Sequence, residues 1–225
     1  YCLYSYRLSA IVVLASKIQH KPIFIFAHGL GTIIDSKNPF SHKIYRYFSL
    51  KFATGIIGSS QELADISKQF NKNVIILPTG VDVENIDRNL GKDSELLKNK
   101  YGSNKIILTV RRLVPKNGIQ YLIEALPYII EKDNSVKYLV IGDGRMRNVL
   151  ENRTKELKIS DFVEFLGEMP NDQVYKYMDL AKVVVFPSSA EAMSIACIEA
   201  MMIGTPVVTT KIGGLVDLLG ENNLF

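Results

Sequence analysis

The chain has 225 residues, 47% hydrophobic and 22% charged, which excludes a disordered chain and allows one large or two modest globular domains. Its net charge of +4, with a pI near 8.9, either favours anionic partners such as nucleotide diphosphates or acidic lipid surfaces or only keeps a basic protein soluble. No apolar run reaches the roughly 18–20 residues that span a bilayer, and neither the three histidines nor Cys2 and Cys197 have metal-ligand spacing. The expected setting is a reducing cytoplasm.

Two blocks of alternating strand and helix pattern flank a polar stretch. The first block opens with a helix expected at Ser9–Gln19 and a short apolar run at Pro22–Ala27, the pattern of a strand buried on both faces. Phe40–Phe52 mixes basic and aromatic residues at helical spacing. Two readings fit it: a helix with its aromatics on the core, which is favoured, or one lying on an anionic membrane. A strand at Gly55–Gly58 runs into Ser59-Ser-Gln-Glu62, a capping-box pattern led by Ser59, and a third strand is expected at Val74–Leu77.

From about Asp82 to Asn104 the composition turns polar, which marks residues 85–104 as a connection between domains at 1–84 and 105–225. Strands follow at Lys105–Val110, Val136–Ile141, Val163–Leu166, Val183–Phe186 and Pro206–Thr209. Helices fall between them at Gly118–Glu131, Arg145–Leu157, Asp172–Leu180 and Ser194–Ile203. This alternation predicts an α/β chain with parallel sheets, whose ligands bind beyond the carboxyl ends of the strands.

Three loops at those ends carry chemistry. Arg111 and Arg112, then Lys116, Asn117 and a glycine opening a helix, suit a diphosphate, because arginine grips phosphate oxygens in a fork and a helix N-terminus adds positive charge. A solvated basic turn would read the same way. Gly142-Asp-Gly144 permits close backbone approach, or makes an ordinary tight turn. In the third loop, Glu199 is the one charged residue of an otherwise apolar helix, with Ile195, Ala196, Met202 and Ile203 three or four positions away. That pattern predicts a carboxylate at least half buried and in need of donors. A ribose hydroxyl pair would supply two; a structural partner from the protein is the alternative.

Seven residues separate Glu191 from Glu199 within Pro187-Ser-Ser-Ala-Glu-Ala-Met-Ser-Ile-Ala-Cys-Ile-Glu199. This segment resembles the signature of retaining glycosyltransferases of the two-domain GT-B fold, family 4 (glycosyl transferases group 1) type. The resemblance extends in order through Ala27-His28-Gly29, Leu77-Pro-Thr-Gly-Val-Asp82, Arg112-Leu-Val-Pro115, Gly142-Asp-Gly144, Phe165-Leu-Gly-Glu-Met-Pro170 and Gly213-Gly214. It implies two Rossmann-like domains, the first of them incomplete here, and a sugar transferred from a UDP- or GDP-sugar to a glycan or lipid-linked acceptor with anomeric retention.

By the same resemblance Arg112 holds the diphosphate, aided by N–H groups of the Ala192–Ile195 loop, Glu199 the ribose, and the Gly167–Met169 backbone the base; Lys116 would reach the phosphates in place of the family's lysine one position later. Asn117, Gly142, Met193, Ser194 and Ile195 line the donor site. Glu191 and His28 contact the sugar, and His28, Arg112 and Glu191 form the catalytic set. No metal or other cofactor and no nucleic acid is implied, and the enzyme would work in the cytoplasm, with peripheral membrane association where the acceptor is lipid-linked.

The chain departs from the family pattern in two places, Asn117 where lysine is usual and Arg111 where glycine is usual. It is also shorter at both ends than the pattern implies. A nucleotide-sugar 2-epimerase of the same fold, or a chain that binds nucleotide sugar without turnover, are the competing expectations.

Overall fold

The computed structural model describes residues 6–29, 40–89 and 94–220. In chain order the elements are α1 (Tyr6–Ile18), β1 (Phe24–Ala27), α2 (Phe40–Phe52), β2 (Gly55–Gly58), α3 (Gln61–Lys68), β3 (Val74–Ile76), α4 (Val83–Asn89) and α5 (Ser94–Tyr101). They continue with β4 (Lys105–Val110), α6 (Ile119–Lys132), β5 (Val136–Ile141), α7 (Arg147–Glu156), β6 (Val163–Gly167) and α8 (Asn171–Leu180). The last four are β7 (Val183–Phe186), α9 (Ile195–Ile203), β8 (Val207–Thr209) and α10 (Gly213–Leu219). Two compact units result. Of the described residues, the first gathers 6–29, 40–79, Glu191–Met193 and 213–220; the second holds 80–89, 94–190 and 194–212.

In the first unit a parallel three-stranded sheet runs in the order β1-β2-β3, with Phe24 opposite Gly55 and Ile56 opposite Val74. Ala27, Leu50, Ile56, Leu63 and Ala192 form its buried cluster. The cap of α3 lies one residue later than the capping-box pattern predicts. Ser60, not Ser59, is the N-cap, and its side chain accepts from Leu63 N at 3.3 Å. Ser59 is buried instead, its hydroxyl 3.4 Å from Ala27 O on the neighbouring strand. The aromatics of α2 also depart from expectation: Leu50 is buried and Phe48 half-buried, whereas Tyr45, Tyr47 and Phe52 are exposed.

The second unit is built on a parallel sheet ordered β6-β5-β4-β7-β8. Central β4 is apolar on both faces, with Ile106, Ile107 and Leu108 buried, as a strand covered on both sides requires. On one face lies α6, whose Ile119, Leu122, Ile123 and Leu126 recur at the i, i+3, i+4, i+7 spacing of a single helix stripe. Tyr138, fully buried in β5, donates to Thr109 Oγ1 at 3.0 Å, and Thr109 donates to Val185 O at 3.0 Å, so the polar groups inside the sheet are paired across three strands.

The polar stretch after Asp82, expected as a connection, carries α4 and α5, and both pack on α8. Glu164 of β6 accepts from Lys100 Nζ at 2.7 Å and from Tyr101 Oη at 3.1 Å, which ties α5 into the second unit. A further element the hydrophobic pattern did not suggest is α10. Among the described residues, no helix is long and apolar enough to cross a membrane.

From β4 the chain passes to β5 and β6 on one side, then returns to β7 on the other. The order therefore reverses between β4 and β7. At such a switch point the connections leave the sheet in opposite directions and open a crevice at the carboxyl ends, the usual place for a ligand in a fold of this kind.

Candidate functional site

The loops that leave β4 and β7 meet at this switch point. Lys116 O accepts from Ser189 N at 2.7 Å and from Ser189 Oγ at 3.2 Å, joining the basic loop to the one after β7. Gly118 adopts φ 73°, and a Cβ built there would lie 1.7 Å from Pro187 O. Gly118→Ala is accordingly expected to lower stability by at least about 2 kcal/mol, because the left-handed backbone and the contact both resist a side chain. Urea denaturation of the purified variant measures it.

The loop after β5 is fastened to the same segment by backbone pairs. Arg111 N donates to Ile141 O at 2.9 Å, Leu113 N to Asp143 O at 2.9 Å and Met146 N to Leu113 O at 3.0 Å. Gly142, at φ 126°, has its Cβ position 2.1 Å from Arg111 O, so no side chain fits between the loops. Gly142 N in turn donates to Gly167 O at 2.7 Å, which adds the end of β6.

Arg147 braces this corner. It donates to Asp143 Oδ2 at 3.0 Å, Glu151 Oε1 at 2.8 Å and Phe165 O at 3.2 Å. The Gly144 N–H, and after it Arg147, hold the Asp143 carboxyl below its usual range.

The loops after β4, β5 and β6 thus form one hydrogen-bonded ledge. On it Arg112 and Lys116 are exposed, whereas Asn117 is buried and its Nδ2 donates to Arg112 O at 2.8 Å. Asn117 therefore shapes the turn that presents Arg112. Among the described residues, Asn117 Oδ1 and Ser188 Oγ, both buried at this edge, have no hydrogen-bond partner. Leaving a buried polar atom unpaired costs about 1–3 kcal/mol, so both atoms call for a water molecule or a ligand.

After β7, Ser194 caps α9 through its hydroxyl, which accepts from Cys197 N at 3.2 Å, and Ile195 at the first turn is half exposed. The leading N–H groups of a helix lack intrahelical acceptors and attract negative charge. Glu199 on α9 is 9% exposed, and Tyr175 Oη on α8 donates to its Oε1 at 3.0 Å. Burial raises the Glu199 carboxyl above its usual value, an effect the Tyr175 hydroxyl opposes. Tyr175 is pushed up to about 12, first by burial and then by Glu199, and so stays protonated as a donor near neutrality.

Arg112, Lys116, Asn117, Gly142, Gly167, Met169, Ser194, Ile195 and Glu199 all belong to the second unit; His28, Glu191 and Met193 belong to the first. In the first unit His28 follows β1, exposed and stacked on Phe26 with ring centroids 4.2 Å apart. Glu191 is half-buried, and its carbonyl accepts from Gly214 N at 3.3 Å. Sequence reasoning missed Tyr175 and Arg147. Tyr175 sits with Val174 and Met178 on the apolar stripe of α8, which reads as core. Among the described residues, no three His, Cys, Asp or Glu side chains gather as metal ligands would.

The profile of the family described as "Glycosyl transferases group 1" matches residues 93–224. An uncharacterized glycosyltransferase of Methanocaldococcus jannaschii is 34% identical over 177 residues, covering 77% of this chain and 45% of that protein. The 2-deoxystreptamine glucosyltransferase of Streptomyces kanamyceticus is 26% identical over 200 residues, covering 85% of this chain and 51% of that protein. The chain thus spans about half the length of the curated relatives it matches. Among solved structures, Anabaena HepE in complex with UDP superimposes with a TM-score of 0.81 at 21% identity, over 98% of this chain and 62% of that one.

Proposed function

This chain belongs to the glycosyl transferases group 1 family and has its GT-B fold of Rossmann-like units, and from that premise we propose that it transfers a sugar from a UDP- or GDP-sugar to a glycan or lipid-linked acceptor with retention of anomeric configuration. The observation that carries this reading is Glu199. It is a buried carboxylate with a raised pKa, on the helix that leaves the switch point. Tyr175 gives this carboxylate one hydroxyl donor, and a ribose would provide two more for its remaining lone pairs.

In this reading Arg112 and Lys116 grip the diphosphate from the ledge, aided by the α9 N-terminus and the N–H groups of the segment Ala192–Ile195. Asn117 supports Arg112, and the backbone from Gly142 and from Gly167 to Met169 borders the base. His28 and Glu191 contact the donor sugar. The bond between the anomeric carbon and the phosphate oxygen breaks while the acceptor oxygen bonds to the same face. The acceptor proton passes to the departing diphosphate, whose charge the fixed cations and backbone dipoles stabilise. The proposal includes action in the cytoplasm, peripheral membrane attachment where the acceptor is lipid-linked, and no essential metal.

A second reading, binding without turnover, draws on Asn117. Its side chain is neutral and turned toward Arg112 O, so it supplies no charge for a leaving diphosphate. Turnover of donor in the presence of acceptor separates the two.

The test is calorimetric titration of the chain with UDP-glucose and with GDP-mannose, in chelator, across a pH series. Binding of one of them is expected, with affinity falling as pH drops through the raised pKa of Glu199, since a protonated carboxyl accepts hydroxyls poorly. Their diphosphate diesters have no proton to gain in this range, so the trend belongs to the protein. Free-protein stability should move the other way. Because the folded-state pKa lies above the value of 4.5 for an unperturbed glutamate, the contribution of Glu199 is present below 4.5 and lost as pH rises through the raised pKa. A folded chain that binds neither donor overturns the proposal.

A further inference from the structure

This inference rests on the ribose-binding assignment of Glu199 and deepens it. Among the described residues, Tyr175 is the sole hydrogen-bond partner of Glu199. Tyr175 is 3% exposed, comes from a different helix, and meets one oxygen only, Oε1, at 3.0 Å. The final torsion of a glutamate is broad, so a carboxylate held by nothing swings through a wide range of orientations. A hydrogen bond to one oxygen removes that freedom and leaves the second oxygen, Oε2, for an incoming group. A buried tyrosine hydroxyl suits this task, because the ring is stiff and the donor remains protonated near neutrality.

We propose that Tyr175 is a positioning residue for the donor site, holding Glu199 by Oε1 so that Oε2 is presented to the ribose hydroxyls, and that it thereby sets selectivity for ribonucleotides over deoxyribonucleotides. Tyr175 touches no substrate itself. Its effect reaches the ligand through Glu199, with the order lost on its removal appearing as weaker recognition of the two hydroxyls. A merely structural bond between α8 and α9 predicts something different, an effect blind to the sugar of the nucleotide.

The experiment compares the wild-type chain with Tyr175→Phe, which keeps the ring and deletes the donor. Dissociation constants are measured for UDP, GDP and the 2′,3′-dideoxy counterpart of each, with folding followed by circular dichroism. For the nucleotide that binds, Tyr175→Phe is expected to weaken the ribo form about tenfold and the dideoxy form less than about twofold. Should the phenylalanine variant not fold, Tyr175→His, which keeps a ring donor, is expected to retain part of the discrimination. Equal weakening of ribo and dideoxy forms, or no weakening of either, overturns the role of Tyr175 and leaves the nucleotide site standing. A folded wild-type chain that binds no nucleotide overturns the donor-site reading and this inference together.

Discussion

Glu199→Ala is expected to weaken nucleotide-sugar binding about 100-fold while the chain stays folded. The magnitude follows from two hydroxyl donors facing a buried carboxylate. Hydrogen bonds to a charged group contribute about 1.5–3 kcal/mol each, and ~2.7 kcal/mol corresponds to a factor of 100. The fold should survive because burial already disfavours the ionised acid, so alanine removes a strained charge along with a contact. The cost left behind is the hydroxyl of Tyr175, which loses its acceptor. Glu199→Gln keeps an oxygen for Tyr175 and removes the charge, and should fall between wild type and alanine, at about tenfold. Calorimetric titration with UDP-glucose and GDP-mannose reads all three. An alanine variant that binds as tightly as wild type would remove Glu199 from the site.

Arg112→Ala is expected to lower kcat/KM for donor by about a thousandfold, roughly 4 kcal/mol of transition-state stabilisation. The leaving diphosphate gains negative charge as the glycosidic bond breaks, and a guanidinium meets two of its oxygens at once. The ledge is arranged to hold this residue. Its carbonyl is fixed by Asn117, and the neighbouring Arg111 and Leu113 N–H groups are committed to the β5 loop. Arg112→Lys should recover only part of the loss, since an ammonium gives a point charge without the fork. Steady-state kinetics with varied donor decide it, and a variant with unchanged kcat/KM would assign the diphosphate to other cations. In the proposed reading, the absence of lysine at position 117 leaves the charge stabilisation to Arg112 and Lys116.

Much of the fold is legible in the sequence. The largely apolar run Ile106–Val110 and the stripe Ile119, Leu122, Ile123 and Leu126 carry their geometry in their spacing, since burial follows the period of the element. Glu199 was legible as buried, yet the neighbours that argued for it are not all in the core. Ile195 and Met202 are about half exposed, and the cover comes from Tyr175 on another helix. The helices α4 and α5 escaped notice because their sequences are polar. They are held by packing on α8 and by Lys100 and Tyr101 meeting Glu164, partners more than sixty residues away.

The sequence by itself determined the strand order in the chain, the apolar faces and the placing of arginine, glycine and glutamate in the loops after the strands. These depend on neighbours within a turn or two, where period and propensity operate. Only the tertiary structure decided that the strand order reverses between β4 and β7, that Asn117 turns inward to Arg112 O, and that Ser60 rather than Ser59 caps α3. It also decided that Tyr175 reaches across 24 positions to one oxygen of Glu199. A buried polar group takes whichever partner another element brings to it, and that partner is set by packing, which local spacing does not encode.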